Sequence, residues 1–225
     1  MRNLGLKSIL GITNLLFWMG LAIFLSAGTL HFPAAWIYLA LFFIPVTAIT
    51  VFIFNRDKDL LQRRMHVGPV AETRKAQKII QSFAAVGFIG MYIVSGLDRR
   101  FGWTTVPLWL MRGGEILMLI AMYFLFLVFR RNSFLSALIE VDREQTVITD
   151  GPYAIVRHPM YAAALLLFIA TPFALGSFAA LIFFPLMFAV LMLRCLDEEK
   201  MLRRELNGYT AYCDSVPYRL IPFIW

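Results

Sequence analysis

The sequence predicts an all-α, polytopic membrane bundle of about six membrane segments, the last two folded as a helical hairpin. Three observations lead there. The chain is 60% hydrophobic and only 16% charged, with a mean hydropathy of +0.72, more apolar surface than a soluble domain of this size carries. Several uncharged runs reach the roughly 20 residues that a helix needs to cross hydrocarbon. All but three of the 21 Lys and Arg fall on one side of the resulting topology, which follows the positive-inside bias. Strands would require alternation and closure into a barrel, and the sequence shows neither pattern.

Spanning helices are expected at residues 9–30, 34–54, 79–97 and 109–129. The first run is not followed by a small-residue cleavage site, so it reads as a retained span. The loop 55–78 is polar and basic, and its stretch 57–64 has the pattern of a short amphipathic helix on the inner face. Residues 98–103 form a compact outer loop, with Trp103 and Trp109 as interfacial anchors. From Asn132 onward the chain changes character. A polar stretch, 140–150, leads into Gly151-Pro152, a turn pair. The run 160–193 has no charge and is too long for one span. Pro172 and Leu175-Gly176-Ser177 should break it into two short helices, 161–171 and 178–194. Residues 195–206 read as helical and stop at Asn207-Gly208. The apolar stretch 220–225 reads as an interfacial lid or plug.

With the N-terminus inside, only Arg99, Arg100 and Arg112 lie outside, and both termini are expected on the cytosolic side. The net charge of +7 then reflects inner loops beside anionic headgroups and gives no indication of a nucleic-acid partner. Cys195 and Cys213 fall on the cytosolic side, where a disulfide is disfavoured. His31, His66 and His158 are scattered, without metal-ligand spacing. The chain reads as a single membrane domain, 1–225. Residues 1–130 form a four-span scaffold, and residues 131–225 bear the polar clusters.

Two clusters bracket the hairpin. Pro159 suits a helix start, where its missing donor costs nothing. Arg157 and His158 therefore sit at the positive end of a helix dipole, a place that suits a carboxylate or phosphate. The plainer reading is that Arg157 binds headgroups and His158 caps the helix. Glu198 and Glu199 lie near the cytosolic end of the second helix, where the dipole disfavours acids, so they call for a partner. The plainer reading there is a solvated face paired to Lys200, Arg203 and Arg204. Adjacent carboxylates diverge on a helix, so one of the two should face a site directly. A hairpin must return its ends to the same interface. Arg157, His158 and Tyr161 should therefore meet Arg194, Glu198 and Glu199, with Tyr153, Tyr209, Tyr212 and Arg219 closing over them. Arg157 and Arg194 are the candidate catalytic residues. Convergent ionisable groups at a membrane interface are a functional-site hypothesis.

The ensemble Gly-x-Tyr-x-x-x-Arg-His-Pro-x-Tyr (151–161), an apolar hairpin, Glu198-Glu199, Tyr209/Tyr212 and Val216 to Pro222 resembles the cofactor site of the isoprenylcysteine carboxyl methyltransferases. That integral-membrane family includes the phospholipid methyltransferases. The resemblance covers about a third of the chain, 145–222. It implies S-adenosylmethionine as cofactor and a lipophilic acceptor reached from the bilayer. By the same resemblance, Gln145, Val147, Gly151 and Tyr153 would pack on the cofactor. Arg157, His158 and Tyr161 would hold its polar groups, Glu198 and Glu199 would bind it from the second helix, and Tyr212 and Arg219 would complete the set. Asn132 stands where such proteins often have Asn. Gln145 replaces a His common in eukaryotic carboxyl methyltransferases, and Asn207-Gly208 replaces Phe-Gly. The glycine-x-glycine of phospholipid methyltransferases has no match near residues 123–129. These departures bear on the acceptor more than on the cofactor. Two other readings stand beside this one. Sterol reductases, which use a nicotinamide cofactor, share Arg-His-Pro-x-Tyr but usually carry Asn where this chain has Met160. A non-catalytic lipid- or quinone-binding scaffold is the other.

Overall fold

The computed structural model describes residues 3–65, 75–136 and 145–225. His66, Arg74, Arg143 and residues 140–144 of the polar stretch lie outside these described residues. Among the described residues, eight α-helices follow one another: α1 (Leu4–Ala27), α2 (Pro33–Arg56), α3 (Lys58–Arg64), α4 (Lys75–Phe101), α5 (Leu108–Arg131), α6 (Pro159–Ala174), α7 (Phe184–Glu205) and α8 (Tyr209–Ser215). Among the described residues, five segments are long and apolar enough to cross a membrane: α1, α2, α4, α5 and Ala179–Glu205. The last is α7 with the 3-10 turn Ala179–Phe183 ahead of it. The chain is thus a multi-pass helical bundle that sits in lipid.

The four expected scaffold spans are present, each somewhat longer than the run expected for it. Backbone hydrogen bonds carry the helices through flanking charges such as Lys7, Arg56, Arg99 and Arg131. Helix α1 is lipid-facing on most of its surface. It buries one stripe, Met19, Ile23 and Ala27, at the i, i+4 spacing of a single helix face. That stripe meets α4 where Gly96 has no side chain: a Cβ there would lie 2.5 Å from the Ile23 carbonyl oxygen and 2.9 Å from the Ala27 nitrogen. Gly114 of α5 does the same for α6, with a Cβ reaching 2.7 Å from the Ala174 nitrogen and 3.0 Å from the Ala170 oxygen. Small residues allow such close approach where lipid offers no hydrophobic drive between helices.

The short helix α3 forms as expected. Asp57 caps it, accepting from the Leu60 N–H at 2.8 Å, and Leu60 and Leu61 bury its apolar face. In mid-bundle the Tyr38 hydroxyl meets those of Tyr92 (2.8 Å) and Thr171 (3.1 Å), joining α2, α4 and α6. The hairpin differs from expectation in two ways. Pro172 does not break the run: α6 continues to Ala174, and the chain turns at Gly176 with φ +72°. A proline so near a helix end disturbs little, and its carbonyl accepts from the Ser177 N–H at 2.8 Å. The second arm does not stop at Arg194, since α7 runs unbroken to Glu205. Arg194, Glu198 and Glu199 therefore ride on one rigid helix. The first arm has 16 residues, about 24 Å at 1.5 Å per residue, short of a full span.

The hairpin's turn is pinned to the far end of α4. Asp98, buried there, accepts from the Ser177 hydroxyl at 2.6 Å and the Thr104 N–H at 2.7 Å. The Thr104 hydroxyl in turn accepts from the Phe178 N–H at 3.0 Å. With its tip fixed, the hairpin presents both mouth ends at a defined place.

Candidate functional site

At that mouth, Pro159 occupies the first turn of α6 and His158 the cap position, but the His158 side chain makes no capping hydrogen bond. It points instead to Glu199, Nε2 to Oε1 at 3.3 Å, with the Tyr209 hydroxyl 3.5 Å away. Arg157 donates through Nε to Glu199 Oε1 at 2.6 Å and through Nη1 to the Val216 and Pro217 carbonyls at 2.8 and 3.0 Å. Arg219 closes the other side, Nε to Glu199 Oε2 at 2.8 Å. Its guanidinium lies over the Trp225 ring, 4.8 Å from the centroid. The segment after α8 is stitched to the same point: the Arg157 and His158 N–H groups donate to the Tyr218 and Arg219 carbonyls, both at 2.9 Å.

Both Arg157 and Glu199 have side chains only 4% exposed, so this is a buried ion cluster, not a headgroup contact. Burial works against the Arg157 charge, but the Glu199 carboxylate outweighs it and the guanidinium pKa is raised. Burial first, and then the Glu199 charge, raises the Tyr209 pKa, and burial likewise raises those of Tyr153 and Tyr212. All three hydroxyls stay neutral and able to donate. The Tyr212 hydroxyl donates to the Tyr153 carbonyl at 2.7 Å, and Asn132 donates to the Tyr153 hydroxyl at 2.8 Å. His158, Cys195 and Glu199 place three potential ligand atoms within 4.8 Å of one another. No sequence spacing signalled that group. Two guanidiniums already occupy the same carboxylate, and their charge opposes a cation there.

Beside the cluster opens a cavity of about 790 Å³, mouth included. Gln145, Val147, Tyr153, Arg157, His158, Tyr161, Glu198 and Tyr212 line it, as does Arg194. Gly151, Glu199 and Arg219, also expected at the site, are not among its lining residues. The divergence of adjacent carboxylates thus takes a definite form. Glu198 faces the cavity, held by the Tyr161 hydroxyl at 2.5 Å, while Glu199 turns inward to the arginines. Gly151 instead supplies a positive φ of +59° for the turn into residues 151–154. Leu202 and Leu206 also line the cavity. Arg194, Glu198 and Leu202 form an i, i+4 stripe on α7 that Leu206 follows just past its end, a signal present in the sequence once a single long helix is recognised.

A second, mostly apolar groove runs between α4 and the hairpin, about 1240 Å³ with its open side. It shares Ser136, Met160, Tyr161 and Arg194 with the first cavity. Arg64 of α3 lines this groove alone.

Comparison with known proteins agrees with the family resemblance read from the motifs. Residues 109–207 match the family model described as phospholipid methyltransferase. The matched region runs from the start of α5 to the end of α7 and contains Arg157, His158 and Glu199 of the ion cluster but not Arg219. It supports a membrane methyltransferase. The chain is also similar to the Delta(14)-sterol reductase TM7SF2 of Mus musculus, 30% identical over 82 residues. That stretch covers 35% of this chain but only 20% of the reductase.

Proposed function

We propose that the chain is a methyltransferase that uses S-adenosylmethionine and acts on a lipophilic acceptor. The observation that supports this best is the pair of cavities, one polar and one apolar, which share a wall at Met160, Tyr161 and Arg194. The polar cavity suits the cofactor's chemistry. Glu198 offers a carboxylate to a cation, Arg194 a guanidinium to an acid group, and Tyr153, Tyr209 and Val147 faces to a heterocycle. Arg157 is itself part of this wall, Glu199 and Arg219 lie behind it, and the three tie the segment after α8 to the hairpin mouth.

When bound, S-adenosylmethionine supplies an electrophilic methyl group on a sulfonium. Displacement at such a carbon needs alignment and exclusion of water more than acid or base. The residues here are arranged for that. Tyr161 fixes the Glu198 carboxylate and Arg194 sits at the junction of the cavities, while Leu220 of the C-terminal segment packs behind them with Tyr161, Leu191 and Cys195 and does not line the polar cavity. The cofactor's charges require access from water, and the apolar groove offers a separate route for the acceptor from lipid. On this reading residues 131–225 are the cofactor half, residues 1–130 the scaffold, and the cavity mouth faces the cytosol.

A nicotinamide-dependent reductase is the second reading, favoured by the 82-residue similarity to the sterol reductase. Calorimetry on detergent-purified protein separates the two. S-adenosylmethionine and S-adenosylhomocysteine should bind and NADPH should not. Tight NADPH binding without a response to either sulfur compound would overturn the methyltransferase assignment.

A further inference from the structure

Gln77, near the start of α4, is fully buried, although it belongs to none of the motifs at the hairpin mouth. A buried amide must satisfy both of its ends. Gln77 does so across to α7, where Nε2 donates to Asp197 Oδ2 at 2.5 Å and Oε1 accepts from Arg194 Nη1 at 3.3 Å. The reverse orientation would set its oxygen against a carboxylate and its NH2 against a guanidinium, so the flanking charges fix which way it points. From Arg194 the chain continues to the Tyr161 hydroxyl, which donates to Glu198 at 2.5 Å. Arg194 thus stands between two arms, each ending in a carboxylate. Helix packing places the amide there. Gly87 of α4 lets Met187 of α7 lie against its backbone, where a Cβ would clash with the sulfur. The two helices run antiparallel. Ten residues before Gly87 lies Gln77, and ten residues after Met187 lies Asp197.

Arg194 lines both cavities and Glu198 the polar one. An arginine side chain loses much rotamer freedom when it is held in one place. The charge-assisted bond to Asp197 makes the Gln77 amide a firm anchor, so Arg194 is held before any ligand arrives. Such preorganisation raises affinity because less ordering remains to be done on binding. We propose that Gln77 is a positioning residue. It fixes the Arg194 guanidinium and, through Tyr161, the Glu198 carboxylate, so that the first half of the chain sets the affinity of the polar cavity for its ligand. This rests on the reading that the cavity receives S-adenosylmethionine. Gln77 lines neither cavity and acts through Arg194.

The test follows two quantities on the full-length protein in neutral detergent. Calorimetry gives the affinity for S-adenosylhomocysteine, and peptide mass spectrometry gives the rate at which Arg194 reacts with p-hydroxyphenylglyoxal, an arginine-selective reagent. Gln77→Met keeps the length of the side chain and removes its hydrogen bonds. It should weaken S-adenosylhomocysteine binding about tenfold, the scale of a charged hydrogen bond, and speed Arg194 labelling to a similar extent. Gln77→Glu, which keeps an oxygen for Arg194, should restore part of both. In an Arg194→Met background, Gln77→Met should weaken binding no further, since a residue that acts through Arg194 has nothing left to position. An equal loss in both backgrounds would overturn the proposal, because that is the result if Gln77 only packs α4 on α7. Unchanged Arg194 labelling in Gln77→Met would also overturn it, as would unchanged affinity where the parent binds. If Gln77→Met does not fold, Asp197→Asn, which loosens the anchor of the amide, decides by the same two readouts. If the parent does not bind S-adenosylhomocysteine but Arg194 labelling still rises in Gln77→Met, the methyltransferase reading falls and the positioning of Arg194 stands.

Discussion

Replacing Glu199 by alanine should cost fold stability, while replacing Glu198 by glutamine should cost cofactor affinity. The two residues are neighbours in sequence and opposite in situation. Glu199 accepts from Arg157 at 2.6 Å, Arg219 at 2.8 Å and His158 at 3.3 Å. Removing it leaves the Arg157 guanidinium, 4% exposed, with carbonyl oxygens only. Breaking one side of a buried ion pair costs about 3–5 kcal/mol, a large share of the roughly 5–15 kcal/mol that holds a domain together. Glu198 lines the cavity and, among the described residues, accepts a hydrogen bond from the Tyr161 hydroxyl. Losing its charge should weaken cofactor binding by roughly 10- to 150-fold, the equivalent of about 1.5–3 kcal/mol for a charged hydrogen bond. Thermal unfolding in detergent and calorimetry with S-adenosylhomocysteine read the two effects separately. Replacing Arg157 and Glu199 together by leucine should recover much of the lost stability, since paired apolar replacement removes the stranded charge. An alanine variant at 199 that melts with the parent, or a glutamine variant at 198 that melts as low as it, would refute the division of roles.

Two further expectations concern the bundle. Gly114→Ala should lower thermal stability by about 1–3 kcal/mol, because its Cβ would press on the backbone of α6. Gly113→Ala, with nothing within 4 Å, should be neutral or slightly stabilising, and equal effects at both positions would contradict the packing described. Reporter fusions after residue 225 and between residues 55 and 78 should read cytosolic, and one near Phe101 should not. The reverse result would invert the orientation drawn from the basic residues.

The membrane class and four scaffold spans were legible because hydropathy and charge act over long windows, and α1 to α5 follow them. The meeting of Arg157 with Glu199 was legible for a related reason: a hairpin must return to its own interface. Pro172 misled because a proline signal says that a helix is disturbed, not how close to its end. The separate fates of Glu198 and Glu199 could be expected in kind but not in direction, which depends on the rotation of α7. Arg64 was illegible as a residue of the groove. Its place there comes from the packing of α3 against α2 and of α4 against the hairpin, and no local pattern encodes such long-range contacts.

The stitching of residues 157–158 to 216–219 also has a consequence for biogenesis. Synthesis proceeds from the N-terminus, so Arg157 leaves the ribosome well before Glu199, and Glu199 before the carbonyls of Val216 and Pro217. Until those residues are made, the hairpin must be inserted with its arginine still in contact with water or headgroups. The buried cluster can close only as a late step, once the bundle around it is already in the bilayer. A chain stalled ahead of residue 216 would therefore be a membrane protein whose Arg157 lacks its carbonyl partners, its hairpin mouth still open and hydrated.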